Sequence, residues 1–460
     1  MKDYKLLLPG VTFALGPILA YIFLPLITSN VSVAEYGIYT YYLSVLNIIS
    51  FISLLPALNA TVNRYGSKVS GSYSHDSYSI KTFYYLSFSI FALCVFSVIY
   101  LFSEIKHLHF AVIAVSVLSI NIFNVIKSYL LINNDKLSYS FFVILINAFQ
   151  YIYLFYAISN DGFDVQDILF GNVFLIFCLI CFKYKSIVKF VANKPELVKR
   201  NTKILKFVAM SFVISFSTII YNNTDKIMMD LILDDPRYLA VYQVSYQIFS
   251  FPIESVYALI SIFTPAFLYR AFDKDKSQYL KNLRITFKVV LFVLFNLAQL
   301  LYINKDLLKS MLLDSKYIYD DFLPLLFLAS QSLFVIYLIT TNIFIVYNKR
   351  IYIIVSLVAS SLLNIVLNYF LIELCGYVGA ALSTLISYLV LVLFILALSY
   401  RVFNVNFFDR SDVLFMISIP IVYITVGQNH IAWLMVLSLI SYVYFKKNIK
   451  STYLSLLRGV

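Results

Sequence analysis

Long runs without a charged side chain divide the sequence, and their lengths predict helices that cross a bilayer. Clear runs cover Leu6 to Ala34, Tyr36 to Asn63, Thr82 to Ser103, Leu137 to Asn160, Phe322 to Asn348, Ile351 to Ile372 and Leu374 to Tyr400. Weaker ones cover Phe110 to Ile126, Ile168 to Phe182, Phe207 to Thr224, Tyr238 to Tyr269 with Glu254 inside it, and Val289 to Asn304. The last run, Val413 to Phe445, is too long for one ordinary span and holds Gly427-Gln428-Asn429-His430 near its middle, so it reads as two short spans. An ionised side chain at mid-bilayer costs ~2.5–3.5 kcal/mol, which is why charges mark the ends of such runs. About fourteen spans of ~20 residues follow, an all-α polytopic membrane protein.

Composition agrees with the pattern. Hydrophobic residues make up 61% of 460 positions and charged ones 13%, against ~25% charged in ordinary soluble domains. Mean hydropathy is +0.86. With 11 glycines, 10 prolines and 4 cysteines, the chain fits neither a disordered, a collagen-like nor a disulfide-rich class. Phosphate-binding GxxxxGK[ST], HExxH, zinc-finger spacing and GxSxG do not occur, so an enzyme is not expected, nor is a bound metal or organic cofactor. The pair Cys178 and Cys181 lies in an apolar run and reads as packing.

The net charge of +12 would suggest nucleic acid in a soluble chain. Its distribution suggests orientation instead. With fourteen spans and a cytoplasmic N-terminus, the inner segments hold most of the lysines and arginines, including eight basic residues from Lys183 to Lys206 and the group Arg270, Lys274, Lys276, Lys281, Arg284 and Lys288. Outer segments hold Lys106, Arg237, Lys305, Lys309 and Lys316, beside acidic Asp161, Asp164, Asp167, Asp234, Asp235, Asp320 and Asp321. This is the positive-inside pattern, and it places both termini in the cytoplasm. The expected organisation is a six-helix lobe over residues 1–182, a basic cytoplasmic linker over 183–206, a second six-helix lobe over 207–400, and two final helices with a tail over 401–460. The two bundles are expected to face each other around a central cavity.

Several short motifs recur at fixed places along this frame. Glu35-Tyr36-Gly37-Ile38-Tyr39 follows the first run, Asn63-Arg64-Tyr65 follows the second, and Asn222-Asn223-Thr224-Asp225-Lys226 ends the seventh. Val241-Tyr242 enters the eighth span and Gly376-Tyr377-Val378-Gly379-Ala380-Ala381 the twelfth. In their order and spacing the chain resembles the polysaccharide flippases, the Wzx-type exporters of O-antigen or capsule repeat units. That family stands in the multidrug/oligosaccharidyl-lipid/polysaccharide exporter superfamily, with the lipid II flippases and the multidrug/toxin extruders. The resemblance implies two lobes, a bacterial inner (plasma) membrane, and export of an undecaprenyl-diphosphate-linked oligosaccharide from the cytoplasmic to the outer leaflet for surface polysaccharide or lipopolysaccharide synthesis. A polysaccharide polymerase and a chain-length regulator are the implied partners beside membrane lipid. A glycine common before the arginine after span two is replaced here by Pro56-Ala57-Leu58-Asn59.

Moving such a cargo needs cations for the diphosphate, amides and hydroxyls for sugar, and two alternating openings. Candidate substrate-binding residues are Arg64, Lys127, Tyr221, Asn222, Asn223, Asp225, Lys226 and Arg270. The plainer account of Asp225 and Lys226 is a helix end reaching the interface; that of Arg64, Lys127 and Arg270 is anchoring at the inner surface. Glu254 and Asp230 are candidates for coupling or gating, with a proton or sodium gradient as the drive. Glu254 stands alone in its span beside Pro252, where a kink is expected. A cation-coupled extruder is the transport alternative, disfavoured by the lack of a carboxylate from Leu6 to Thr28. A lipid II flippase differs only in cargo, and a glycan polymerase would need a larger outer loop than Asn304 to Asp321. Single cysteines placed at Lys194 and at Asp161 should react with an impermeant maleimide from opposite faces of the membrane; labelling from one face would overturn the orientation.

Overall fold

A computed structural model describes residues 18–53, 137–141, 143–145, 156, 202–412 and 438–446. Among them every regular element is helical. The first two helices are α1, Ile18–Asn30, and α2, Val33–Ser53. Only Val31 and Ser32 separate them. Ser32 and Glu35 form a reciprocal cap: the Glu35 amide donates to Ser32 Oγ at 3.2 Å and the Ser32 amide to Glu35 Oε2 at 3.1 Å. Glu35, which sequence would place between two spans, therefore sits in the first turn of the second.

The main bundle starts with α3, Thr202–Leu233, and α4, Pro236–Lys274. Helix α3 begins within the segment expected as linker. Asp234 leaves it at a left-handed φ of 49°, and Asp235 caps α4 by accepting the Arg237 amide at 2.9 Å, with Pro236 in the first helical position, where its missing amide proton is no loss. The hydrogen-bonded Arg237 guanidinium holds the Asp235 carboxyl below its ordinary range. Helix α4 continues through Pro252 without interruption.

Asp275 alone separates α4 from α5, Lys276–Ile303. It terminates the first helix through its amide and starts the second by accepting from the Ser277 amide at 2.9 Å and the Gln278 amide at 3.1 Å. The Asp273-Lys274-Asp275 run is thus a helix corner, and the basic residues around it lie on helices that run beyond the apolar stretch. Short α6, Lys305–Leu312, precedes α7, Leu323–Val346. The last long element, α8, Ile351–Phe403, is two helices merged across Gly376, whose φ of 60° and ψ of −142° no side-chain-bearing residue adopts readily. Among the described residues α5, α7 and α8 are long and apolar enough to cross a membrane.

Helix α8 packs on α3 and α7, α4 on α5 and α7, and α2 on both α3 and α4. A second fastening lies after α8. Lys288 Nζ is 2.5 Å from Asp409 Oδ2 and 3.8 Å from Asp412 Oδ2. Asp412 is fully buried and also accepts from the Asp409 amide at 2.7 Å and from Tyr444 Oη at 2.5 Å, which ties helix 438–446 to α5.

The turn at Gly376 brings the two halves of α8 together so tightly that a Cβ on Gly379 would stand 1.8 Å from the Leu371 carbonyl oxygen. Gly379→Ala should lower thermal stability in detergent by about 1–3 kcal/mol through overpacking, read as a fall in the unfolding midpoint; an unchanged midpoint would contradict the packing.

Candidate functional site

Four turns of α3 and α4 hold most of the polar chemistry. Positions 222 and 226 share a helix face, and Lys226 folds back so that its Nζ donates to the Asn222 carbonyl at 2.7 Å. Asp225 and Lys226 are 4% and 8% exposed, with Lys226 Nζ 3.8 Å from Asp225 Oδ1. A helix end emerging into solvent would not bury both. The second Asp225 oxygen accepts a hydrogen bond from Tyr242 on α4.

One turn along α4, Tyr246 joins three groups. Its hydroxyl donates to Glu254 Oε1 at 2.5 Å and accepts from Gln331 Nε2 of α7 at 3.0 Å. Its ring lies 5.0 Å from Lys226 Nζ, a cation–π contact. Lys226 is also the charged neighbour that acts electrostatically on Glu254. Two carboxylates and one ammonium are therefore held together by tyrosine hydroxyls, and with all three ionised the cluster bears one net negative charge.

A third tyrosine extends the network into α8. Tyr388 Oη donates to Asn222 Oδ1 at 3.3 Å. Its ring stacks on Tyr221 at 4.4 Å between centroids and on Phe334 at 5.0 Å. Ser360 donates its hydroxyl proton to the Ser387 carbonyl at 2.7 Å, so Tyr221 is the donor in its 3.2 Å contact with Ser360 Oγ. Asn222 itself remains exposed. Neighbouring Asn223 accepts from Asn47 Nδ2 of α2 at 3.4 Å, and Tyr36 of α2 donates to Gln247 Oε1 of α4 at 3.0 Å. Neutral amides and a phenol thus join α2 to α3 and α4 at this level. A separate ladder between the halves of α8, with Asn368 Nδ2 on Asn364 Oδ1 at 3.1 Å and Ser383 on Asn368, satisfies its own polar atoms.

Of the residues singled out from sequence, Tyr221, Asn222, Asn223, Asp225, Lys226 and Glu254 come together here. Asp230 does not join them: it is half-buried one turn further along α3, with Tyr41 and Tyr42 of α2 as electrostatic neighbours. Arg270 belongs to α4 and, at 1.5 Å per residue, stands about 24 Å along the axis from Glu254. Arg64 and Lys127 lie outside the described residues. Sequence reasoning picked out Tyr242 only within a motif and missed Tyr246, Gln331 and Tyr388. The four-residue spacing of Tyr242 and Tyr246 was the available signal, hidden among 39 tyrosines.

Solved transporter structures share this arrangement of helices. The lipid II flippase MurJ in an inward closed conformation is 15% identical, with a TM-score of 0.53 over 95% of this chain and 98% of that one. The MATE multidrug transporter DinF-BH is 14% identical, with a TM-score of 0.61 over 88% and 95%. A MATE in the straight conformation is 14% identical, with a TM-score of 0.57 over 87% and 97%. No family model and no curated sequence matches the chain. At such identities the likeness establishes the fold: this is an all-helical, multi-pass membrane protein built on the architecture of those transporters.

The Tyr246 hydroxyl holds the half-buried Glu254 carboxylate. Tyr246→Phe leaves the ring beneath Lys226 but strips Glu254 of a donor, and should destabilise the folded protein by about 1–3 kcal/mol. Tyr388→Phe, whose hydroxyl meets an exposed amide, should cost less; thermal unfolding of the two variants compares them directly, and the reverse order would contradict the network.

Proposed function

We propose that the protein is a flippase that carries a polyprenyl-diphosphate-linked oligosaccharide from the cytoplasmic to the outer leaflet of a bacterial plasma membrane by alternating access. The observation supporting it is that the charged groups of α3 and α4 are turned into the bundle, with Asp225 and Lys226 buried and Asn222 displayed beside them. Buried ionisable groups in a membrane bundle mark a pathway or its control. In this reading Asn222, Asn223 and Lys226 present amide and ammonium donors to sugar and diphosphate oxygens. Glu254 with Asp225 controls coupling to a proton or sodium gradient, and Lys226 balances part of their charge.

The cargo class comes from the motifs in the sequence, and the likeness to a lipid II flippase supports a lipid-linked substrate in general. A second reading is a cation-coupled multidrug extruder, favoured by the similar likeness to DinF-BH. The clustered carboxylates described here, half-buried Glu254 and buried Asp225, stand on α4 and α3, whereas the first apolar run has none, and that difference leads us to prefer the flippase.

The test uses purified protein in proteoliposomes with a short-chain polyprenyl-diphosphate oligosaccharide, scoring its movement between leaflets. Glu254→Gln should slow movement about tenfold or more with protein level unchanged, and should flatten its dependence on external pH. Lys226→Glu should be more damaging than Arg237→Glu, whose side chain is 70% exposed. Equal tolerance of both lysine and arginine reversals, or efflux of a fluorescent cation without lipid movement, would favour the second reading.

A further inference from the structure

A group of contacts far from the charge cluster joins the two parts of the chain at one end of the bundle. The segment after α6 turns back and runs as an extended strap before α7. Asp314 shapes its start, accepting the Lys316 amide on its side chain at 3.1 Å and the Tyr317 amide on its carbonyl at 3.0 Å. Beyond the turn, side chains alternate as they must in extended backbone. Tyr317 and Tyr319 are 1% and 5% exposed, while Ile318 between them is 71% exposed.

The two inward tyrosines hold different partners. Tyr319 fastens the strap to its own bundle, edge-on to Phe249 of α4 at 6.2 Å, with Lys309 Nζ 4.6 Å from its ring centroid. Tyr317 crosses over. Its ring meets Tyr36 of α2 edge-on at 6.3 Å and its hydroxyl donates to the Val31 carbonyl at 3.4 Å, in the break between α1 and α2. Three more bonds follow the same line. Thr28 Oγ1 donates to the Leu312 carbonyl at 3.2 Å and accepts the Asp314 amide at 3.4 Å, and Lys316 Nζ donates to the Ser29 carbonyl at 3.1 Å. Nearby, Gly37 of α2 lies so close to Pro236 that a Cβ would stand 1.8 Å from its carbonyl oxygen.

From this geometry we infer that the strap at residues 313–319 is a latch that closes one face of the transporter, with Tyr317 as its pin in a socket made by the α1–α2 break and Tyr36. The distribution of basic residues assigns that face to the outside. The latch rests on the alternating-access reading, because only a protein that must open there needs a detachable contact. Each crossing bond uses a backbone carbonyl or amide on at least one side, so water can take over the partner when the strap leaves, and no buried charge is stranded.

Asn222 supplies a reporter. It is exposed and, eleven residues before the end of α3 at Leu233, lies about 16 Å below that end. In a chain whose Cys94, Cys178, Cys181 and Cys375 are replaced by serine, Asn222→Cys is labelled by an impermeant maleimide added outside. Tyr317→Ala should raise the labelling rate roughly tenfold by shifting the population toward the open face, while Tyr317→Phe, which keeps the ring in its socket, should stay near the parent. Bridging Ser29→Cys to Lys316→Cys with a short thiol-linking reagent should suppress labelling and restore it on reversal. Labelling indifferent to both the bridge and Tyr317→Ala would overturn the latch. Labelling that responds to the bridge, when the cysteine-free parent that keeps Asn222 fails to move lipid-linked sugar, would overturn the functional reading and leave the latch standing.

Discussion

Lys226 cannot rest in a low-dielectric bundle without compensation, and the arrangement around it decides much of the rest. Its ammonium meets the Asn222 carbonyl, the Asp225 carboxylate and the face of Tyr246, so one cation is satisfied by groups from two helices. The carboxylates in turn need donors, and tyrosine hydroxyls supply them: Tyr242 to Asp225 and Tyr246 to Glu254. Gln331 completes the set from α7. Breaking a buried ion pair by removing one member costs about 3–5 kcal/mol. Helices α3, α4 and α7 are thereby held as a body at this level, and the stack of Tyr221, Tyr388 and Phe334 adds α8 to it.

The seam toward α1 and α2 combines apolar packing of buried Leu24, Val31 and Tyr36 with hydrogen bonds of a different kind. Asn47 to Asn223 and Tyr36 to Gln247 are neutral contacts, each with a net worth of about 0.5–1.5 kcal/mol because water offers nearly equivalent partners. A bundle stiffened internally by paired charge, and joined to its neighbour by apolar packing and exchangeable hydrogen bonds without paired charge, has a natural plane of movement. Rigid-body rocking of one unit against another needs that contrast.

The apolar runs made the helices readable because the cost of charge in hydrocarbon leaves few ways to arrange such a sequence. Helices α5, α7 and the two halves of α8 were visible in this way, and Asp225, Lys226 and Glu254 were visible as charges within apolar stretches, though not their meeting. Boundaries were less visible. Glu35 and Asp275 read as loop charges, yet both are helix caps, and a cap and a loop present the same residue types to a hydropathy scan. Pro252 lies within α4, which runs on past it. Asp230, one turn past Lys226, shares the cluster's stretch of sequence but has Tyr41 and Tyr42 of α2 as its neighbours, a pairing fixed by which helix packs there and not by spacing along the chain. Tyr246 was hidden for a different reason: its importance lies in contacts to Glu254, Lys226 and Gln331, and such a convergence exists only after packing.

The knot of Lys288, Asp409, Asp412 and Tyr444 has a mechanical corollary. Asp412 is clasped by an amide, a phenol and an ammonium drawn from three separate stretches of chain, so helix 438–446 is riveted to α5. A passenger attached beyond that helix would ride with α5 as cargo on a crank, reporting how far the bundle swings while remaining blind to events in the opposite half of the molecule.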